Sequence, residues 1–172
     1  MLEKLLDLEL LMLKLFNMSK KTSSAANQQE RLLTPDYIVG LVDGEGYFSV
    51  TAVHRDYGSY SSYEVKMVFG IDLKESDGEI LKQVQKFFGC GHLYYKRDKR
   101  KNFSDQFVYQ VRDHSSILNK IIPFFQKYPL RIQSRKRRFR YFVKIGEIVA
   151  KNGYSTLKGF KKVQELVAKM RQ

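Results

Sequence analysis

From residue 33 onward, apolar and polar positions alternate with two different periods. Ile38, Val39, Leu41 and Val42 form a compact apolar run, opened by Thr34-Pro35-Asp36 and closed by Gly44-Glu45-Gly46. Thr34 suits an N-cap, Pro35 the first helical position, and Asp36 the positive end of a helix dipole. A helix from Tyr37 to Asp43 is therefore predicted. Residues 47–55 then alternate Phe48, Val50 and Ala52 against Tyr47, Ser49, Thr51, Val53 and Arg55. Residues 60–73 alternate Tyr63, Val65, Met67, Phe69 and Ile71 against Ser62, Glu64, Lys66, Val68 and Gly70. A period of two predicts two strands, joined by a turn at Asp56-Tyr57-Gly58-Ser59. The first set in each strand reads as core.

The helical period returns over 75–88, with Ile80, Leu81, Val84, Phe87 and Phe88 on one side, and stops at Gly89-Cys90-Gly91. Two further strands, 92–97 and 103–112, flank a basic hairpin. A helix follows over 115–128, where Pro123 predicts a kink or break. A basic amphipathic helix over 135–150 and a last helix over 155–171 complete the chain. The order helix, two strands, helix, two strands, helices predicts an α+β fold with an antiparallel sheet. Residues 1–16, rich in Leu, read as a helix and 17–31, small and polar, as a linker, so the expected division is 1–32 and 33–172. Met18 is a second candidate start, which leaves open whether residues 1–17 belong to the working protein.

Several classes drop out. A single cysteine, Cys90, cannot form an internal disulfide or a Cys-rich zinc site. His54, His92 and His114 lack metal-ligand spacing and read as structural. No apolar run reaches the ~18 residues of a membrane span. The opening segment has neither the basic start and cleavage site of a secretory signal nor the acid-poor, Arg-rich composition of a transit peptide. An intracellular protein with no membrane partner is expected.

Charge adds a partner. Lys plus Arg number 31 and Asp plus Glu 18, a net +13. The excess is concentrated at the end: residues 127–172 hold fourteen basic side chains against Glu147 and Glu165. Arg131–Arg140 alone contains six, including Arg131, Arg135, Lys136, Arg137 and Arg138. A second cluster comprises Lys96, Arg97, Lys99, Arg100 and Lys101. Such a distribution fits a polyanion, with phosphate contacts supplying affinity; the plain alternative is a solvated helix face.

The candidate chemistry lies in Ile38-Val39-Gly40-Leu41-Val42-Asp43-Gly44-Glu45-Gly46. Gly40 in a helix interior costs ~1 kcal/mol relative to Ala, which makes sense if a second backbone comes close there. Asp43 and Glu45 are either turn residues or, with a carbonyl freed by the flanking glycines, oxygen ligands for a cation such as Mg²⁺.

This segment resembles, position by position, the LAGLIDADG motif of the homing endonucleases. Its companions match as well: Leu33-Thr34-Pro35 before it, Gly46-Tyr47-Phe48 after it, Phe69-Gly70-Ile71-Asp72-Leu73-Lys74, Phe87-Phe88-Gly89 and Tyr128-Pro129-Leu130. The likeness covers about residues 33–170. It implies an α-β-β-α-β-β-α fold whose saddle-shaped sheet lies in the DNA major groove. It implies a homodimer, because this chain carries one motif, with Ile38, Val39, Gly40, Val42 and Asp43 at the contact between motif helices. It implies Mg²⁺ or Mn²⁺ held by Glu45 and the Gly44 carbonyl, with Asp43 positioning helix ends. It implies base contacts from Tyr47, Ser49, Thr51, Val53, Arg55, Ser62, Glu64, Lys66, Val68 and Gly70, with Lys96, Arg97, Lys99 and Arg100 beside them. Basic contacts from Arg131, Arg137 and Arg138 complete the surface.

Two positions depart from the family pattern. Relatives often carry lysine near Gln133 or Ser134; Arg135 or Lys136 is the substitute if the loop is shifted. Relatives often carry glutamine where this chain has Gly70. The implied activity is metal-dependent hydrolysis of both strands of a pseudo-palindromic double-stranded DNA site of ~20 bp. The alternatives are an intron RNA-splicing maturase or a non-cleaving DNA-binding protein. Such proteins reside with an intron-bearing genome, in a bacterial or archaeal cytoplasm or an organelle.

Overall fold

The computed structural model describes residues 33–97 and 104–172, and residues 33–172 cluster as one compact unit. The expected N-terminal helix and linker lie outside the described residues, as do Lys99, Arg100 and Lys101 of the basic hairpin. The elements are α1 (Pro35–Glu45), β1 (Gly46–Asp56), β2 (Ser61–Lys74), α2 (Glu79–Phe88), β3 (His92–Lys96), β4 (Gln106–Val111), α3 (residues 114–127), α4 (Gln133–Ala150) and α5 (Leu157–Arg171). Short 3₁₀ turns at Glu75–Asp77 and Gly153–Ser155 lead into α2 and α5.

The four strands form one antiparallel sheet in the order β1-β2-β4-β3. The β1–β2 register pairs Tyr47 with Gly70, Ser49 with Val68, Thr51 with Lys66 and Arg55 with Ser62. The two predicted alternations are therefore in phase across the hairpin. Phe48, Val50, Val65, Met67, Phe69 and Ile71 share the buried face, all at most 3% exposed. Phe48 is packed by the rings of Phe69, Phe125, Phe139 and Phe142, with centroids 5.1–5.6 Å away. Burying such a ring contributes roughly 1.5–3 kcal/mol. All the helices contribute buried side chains to this core; α5 also stacks Phe160 on Tyr63 at 4.7 Å. The opposite face of the sheet, which carries the second set of residues, is uncovered over most of β1 and β2.

Two local expectations are refined. The helix expected to kink or break at Pro123 runs on through it, with its register reset just before. Ile117–Ile121 forms a wide π-helical turn, closed by Ile122 N–H donating to the Ile117 carbonyl. This restarts the α-helical register at Ile122 and puts Pro123 in a first turn, where a missing N–H costs nothing. Residues 75–88, expected as one helix, divide into the 3₁₀ turn and α2.

Candidate nucleic-acid cleavage site

Helix α1 starts as its sequence requires. Thr34 accepts from Tyr37 N–H at 3.3 Å and Pro35 occupies the first turn. Its end differs from expectation: Gly44 and Glu45 remain helical, and neither Gly44 nor Gly46 has positive φ. Gly46 is needed for close approach, since a Cβ there would stand 2.6–2.8 Å from Val42, including its backbone. The chain therefore passes directly from α1 into β1, which sets Glu45, exposed, at the junction of helix and sheet.

Asp43, two residues earlier, points the other way. It is 7% exposed, and its carboxylate accepts from Arg131 N–H at 2.7 Å and Ile132 N–H at 3.2 Å. No side chain of its own caps the start of α4. Asp43 thus satisfies orphan donors at the lead-in to that helix from 88 residues away, at the positive end of its dipole. The exchange is mutual. Arg135, in the first turn of α4, donates from Nε to the Asp43 carbonyl at 3.3 Å and from Nη2 to the Gly44 carbonyl at 3.1 Å. The C-terminal carbonyls of α1 gain a cation and the N-terminal amides of α4 an anion. Arg135, expected as a stand-in for a catalytic lysine, is occupied with this clamp. Gln133 and Lys136 are exposed on the next part of the turn.

The contact face expected on α1 is out of phase. Ile38, Val39, Val42 and Asp43 are 0–7% exposed in the chain's own core, and only Gly40 of the expected five lies outside. The outward face carries Tyr37, Gly40, the half-buried Leu41, and Gly44; beyond Gly40 and Gly44 there is open space.

The outer face of the sheet begins beside Glu45. Ser49, Thr51, Arg55 and Lys66 are exposed; Tyr47, Val53, Ser62, Glu64 and Val68 are half-buried. Glu64 pairs with Arg55 at 2.9 Å and Lys66 at 3.1 Å. These two bonds, Arg55's first, hold the Glu64 carboxyl below its ordinary range. Exposed pairs of this kind are weak and exchange readily for an external anion. Gly70, expected to face a base, is buried beneath the Tyr47 ring. Lys96 donates to Gln106 at 3.1 Å, and Arg97 is exposed. On the α4 side, Gln133, Ser134, Lys136, Arg137 and Arg140 line an open depression of about 490 Å³. Three cations and a helix N-terminus around one hollow give a strongly positive potential. Arg131 is spent partly on Asp36, at 3.2 Å, and Arg138 lies behind β1, lining a separate hollow with Tyr47 and Ser49. Sequence reasoning missed Asp72, Tyr94, Gln110 and Arg112 on the outer face, although β4 continues the same alternation.

The donor set suits a hard divalent cation. Glu45 supplies an exposed carboxylate, and the Gly44 carbonyl has a second lone pair besides the one Arg135 uses. Among the described residues no group of three or more His, Cys, Asp or Glu gathers at one point. Glu45 with the Gly44 carbonyl would make a one-carboxylate site of the kind Mg²⁺ completes with water and phosphate oxygens.

An exposed acid at a helix–sheet junction, beside a largely polar sheet face and a basic helix, marks the candidate site of this α+β chain. The sequence pattern of the LAGLIDADG endonucleases matches residues 38–146, and the chain belongs to that family. Over 134 residues it is 31% identical to probable intron-encoded endonuclease 2 of Neurospora crassa, covering 77% of this chain and 28% of that one. It is 28% identical over 113 residues to probable intron-encoded DNA endonuclease 1 of Mycosarcoma maydis, covering 64% of this chain and 34% of that one. The chain thus spans about a third or less of these relatives. Among solved structures it is similar to the homing endonuclease I-TnaI, with TM-score 0.68, 32% identity, and coverage of 81% of this chain and 89% of that one. It is also similar to I-SmaMI bound to an uncleaved DNA target in the presence of calcium, with TM-score 0.68, 28% identity, and coverage of 80% and 45%.

Proposed function

We propose that this chain is a site-specific homing endonuclease. Acting as a homodimer, it makes double-strand breaks in a pseudo-palindromic duplex of ~20 bp by divalent-metal-dependent phosphodiester hydrolysis. The observation that carries this reading is the exposure of Glu45 at the end of α1, with its backbone locked by the Asp43–α4 and Arg135–α1 contacts. A buried carboxylate would read as structural. An exposed one on a doubly braced backbone is positioned for something outside the chain. DNA complexes among the solved relatives support duplex DNA as the partner.

Each part of the site then has a task. The outer sheet face lies along base edges, and exposed Ser49, Thr51, Arg55 and Lys66 supply donors and acceptors. Lys136, Arg137 and Arg140 hold the phosphate backbone in register. Glu45 and the Gly44 carbonyl would hold Mg²⁺ or Mn²⁺, which when bound supplies Lewis-acid stabilisation of charge at the scissile phosphate. Arg135 keeps the Gly44 carbonyl aimed. Gly40 and Gly44 leave the outward face of α1 bare enough for a second copy's helix, and a two-fold assembly brings two Glu45 carboxylates together for two strands.

The test uses the full chain with Mg²⁺ or EDTA on a library of duplexes containing intron-insertion sites. Cleavage at one pseudo-palindromic site is expected. In Glu45→Gln it should fall by on the order of 10²-fold or more, the scale of losing one charge-stabilising group, while binding persists. Tight, salt-sensitive binding without cutting under any divalent ion would move the reading to a non-cleaving DNA-binding protein or an intron RNA-splicing protein.

A further inference from the structure

Tyr47, Gly70, Gln110 and His92 stand opposite one another in a single row across β1, β2, β4 and β3. The row contains a fitted substructure. A Cβ at position 70 would lie 2.4 Å from the Tyr47 ring and hydroxyl, so the phenol lies across β2 in space that only glycine leaves. Having crossed β2, the Tyr47 hydroxyl accepts from Gln110 Nε2 on β4. Gln110 is 9% exposed, and its Oε1 accepts from Arg112 Nε at 2.7 Å. The amide cannot be turned around, because an arginine nitrogen only donates and must meet the oxygen. Burial pushes the Tyr47 phenol up to about 12, against a smaller opposing pull from the Gln110 bond, so its protonation does not change across neutral conditions. Arg112 itself is exposed, one residue past the last paired position of β4, with its Nε committed to Gln110, which leaves its two terminal nitrogens to meet a further acceptor.

We propose that Arg112, propped by Gln110 and Tyr47 over Gly70, is a specificity-determining residue that reads a guanine in the major groove. This rests on the duplex-cleaving reading above and names one of its contacts. Guanine is the base that presents two acceptors, O6 and N7, to the paired terminal donors of a guanidinium. A long arginine normally sacrifices rotamer freedom when it binds a base; here a buried amide has already fixed it. Lys136 and Arg140 stand exposed around an open hollow, as a backbone-gripping charge needs. Gln110 and Tyr47 act through Arg112 and are positioning residues in this contact.

The experiment selects bound duplexes from a pool in which the wild-type site is randomised one base pair at a time, using the full chain and then Arg112→Ala, Arg112→Lys and Gln110→Leu. Wild type should favour guanine at one position and its symmetry mate by roughly tenfold or more. Arg112→Ala should flatten that preference and leave the other positions unchanged. Arg112→Lys should keep overall affinity and still lose the preference. Gln110→Leu should weaken it several-fold with Arg112 intact. Position 112 is exposed, so its variants do not endanger the fold. A uniform loss of affinity across all sequences in Arg112→Ala would make Arg112 a phosphate contact and overturn the inference, as would an unchanged guanine preference. Failure of wild type to select any duplex would remove the endonuclease reading and this contact with it.

Discussion

Asp43 and Glu45 are two residues apart and chemically alike, yet the structure separates them completely: one caps a helix from within, the other meets solvent. The resemblance to the family motif implied different roles for them; the local sequence left both as turn acids or ligands. The partners of Asp43 had no signal at all, since backbone amides 88 and 89 residues away leave no trace in composition or spacing. The same holds for Tyr47. Its large ring and the absent side chain at position 70 are one packing event, which becomes visible only when the register places them opposite each other. Tyr47 and Tyr109 also carry a pH signature. Burial raises both phenols, Tyr47 from 10.0 to about 12 and Tyr109 further. The unfolded chain therefore releases these protons first as pH rises. Their contribution to stability is fully present below about pH 10 and declines through pH 12 for Tyr47. Urea midpoints should fall over that window, and Tyr47→Phe should make the decline shallower.

At the scale of elements, the alternating strands were legible because one face is buried: a one-residue slip would have exposed Phe48, Val65 and Phe69 together. Helix ends were less so. The π-helical turn before Pro123 carries no sequence mark distinct from a break. The outward face of α1 was mis-phased for a simple reason. A helix apolar on nearly every side gives no moment to fix its rotation, so Ile38, Val39 and Val42 were indistinguishable from Tyr37 and Leu41 until packed. The corrected face gives a sharp test of self-association. A Cβ at position 40 meets nothing within 4 Å in one chain, so Gly40→Val should change monomer stability by no more than about 1 kcal/mol. If the bare face seats a second copy, the same change should raise the dimer dissociation constant many-fold in sedimentation velocity.

Across the whole molecule, charge and shape agree. The basic excess that the sequence puts after residue 127 is shared between α4 and α5, and its densest part is the first half of α4, which begins beside the residues that brace the end of α1. Affinity for duplex DNA should therefore fall steeply with salt. Removing Lys136 or Arg137 should reduce the slope of log K against log salt by about one each, uniformly over sequences. A filter-binding series from low to physiological salt measures this.

The reciprocal lock between α1 and α4 has a practical corollary for anyone altering what the molecule recognises. Exposed strand positions such as Ser49 and Thr51 are interchangeable parts, because neither side chain is tied to a neighbour. The first turn of α4 is not. Its Arg135, with the amides of Arg131 and Ile132 just before it, holds Asp43 and Gly44 next to the exposed acid, so a change made there to adjust grip on a phosphate is passed on to Glu45.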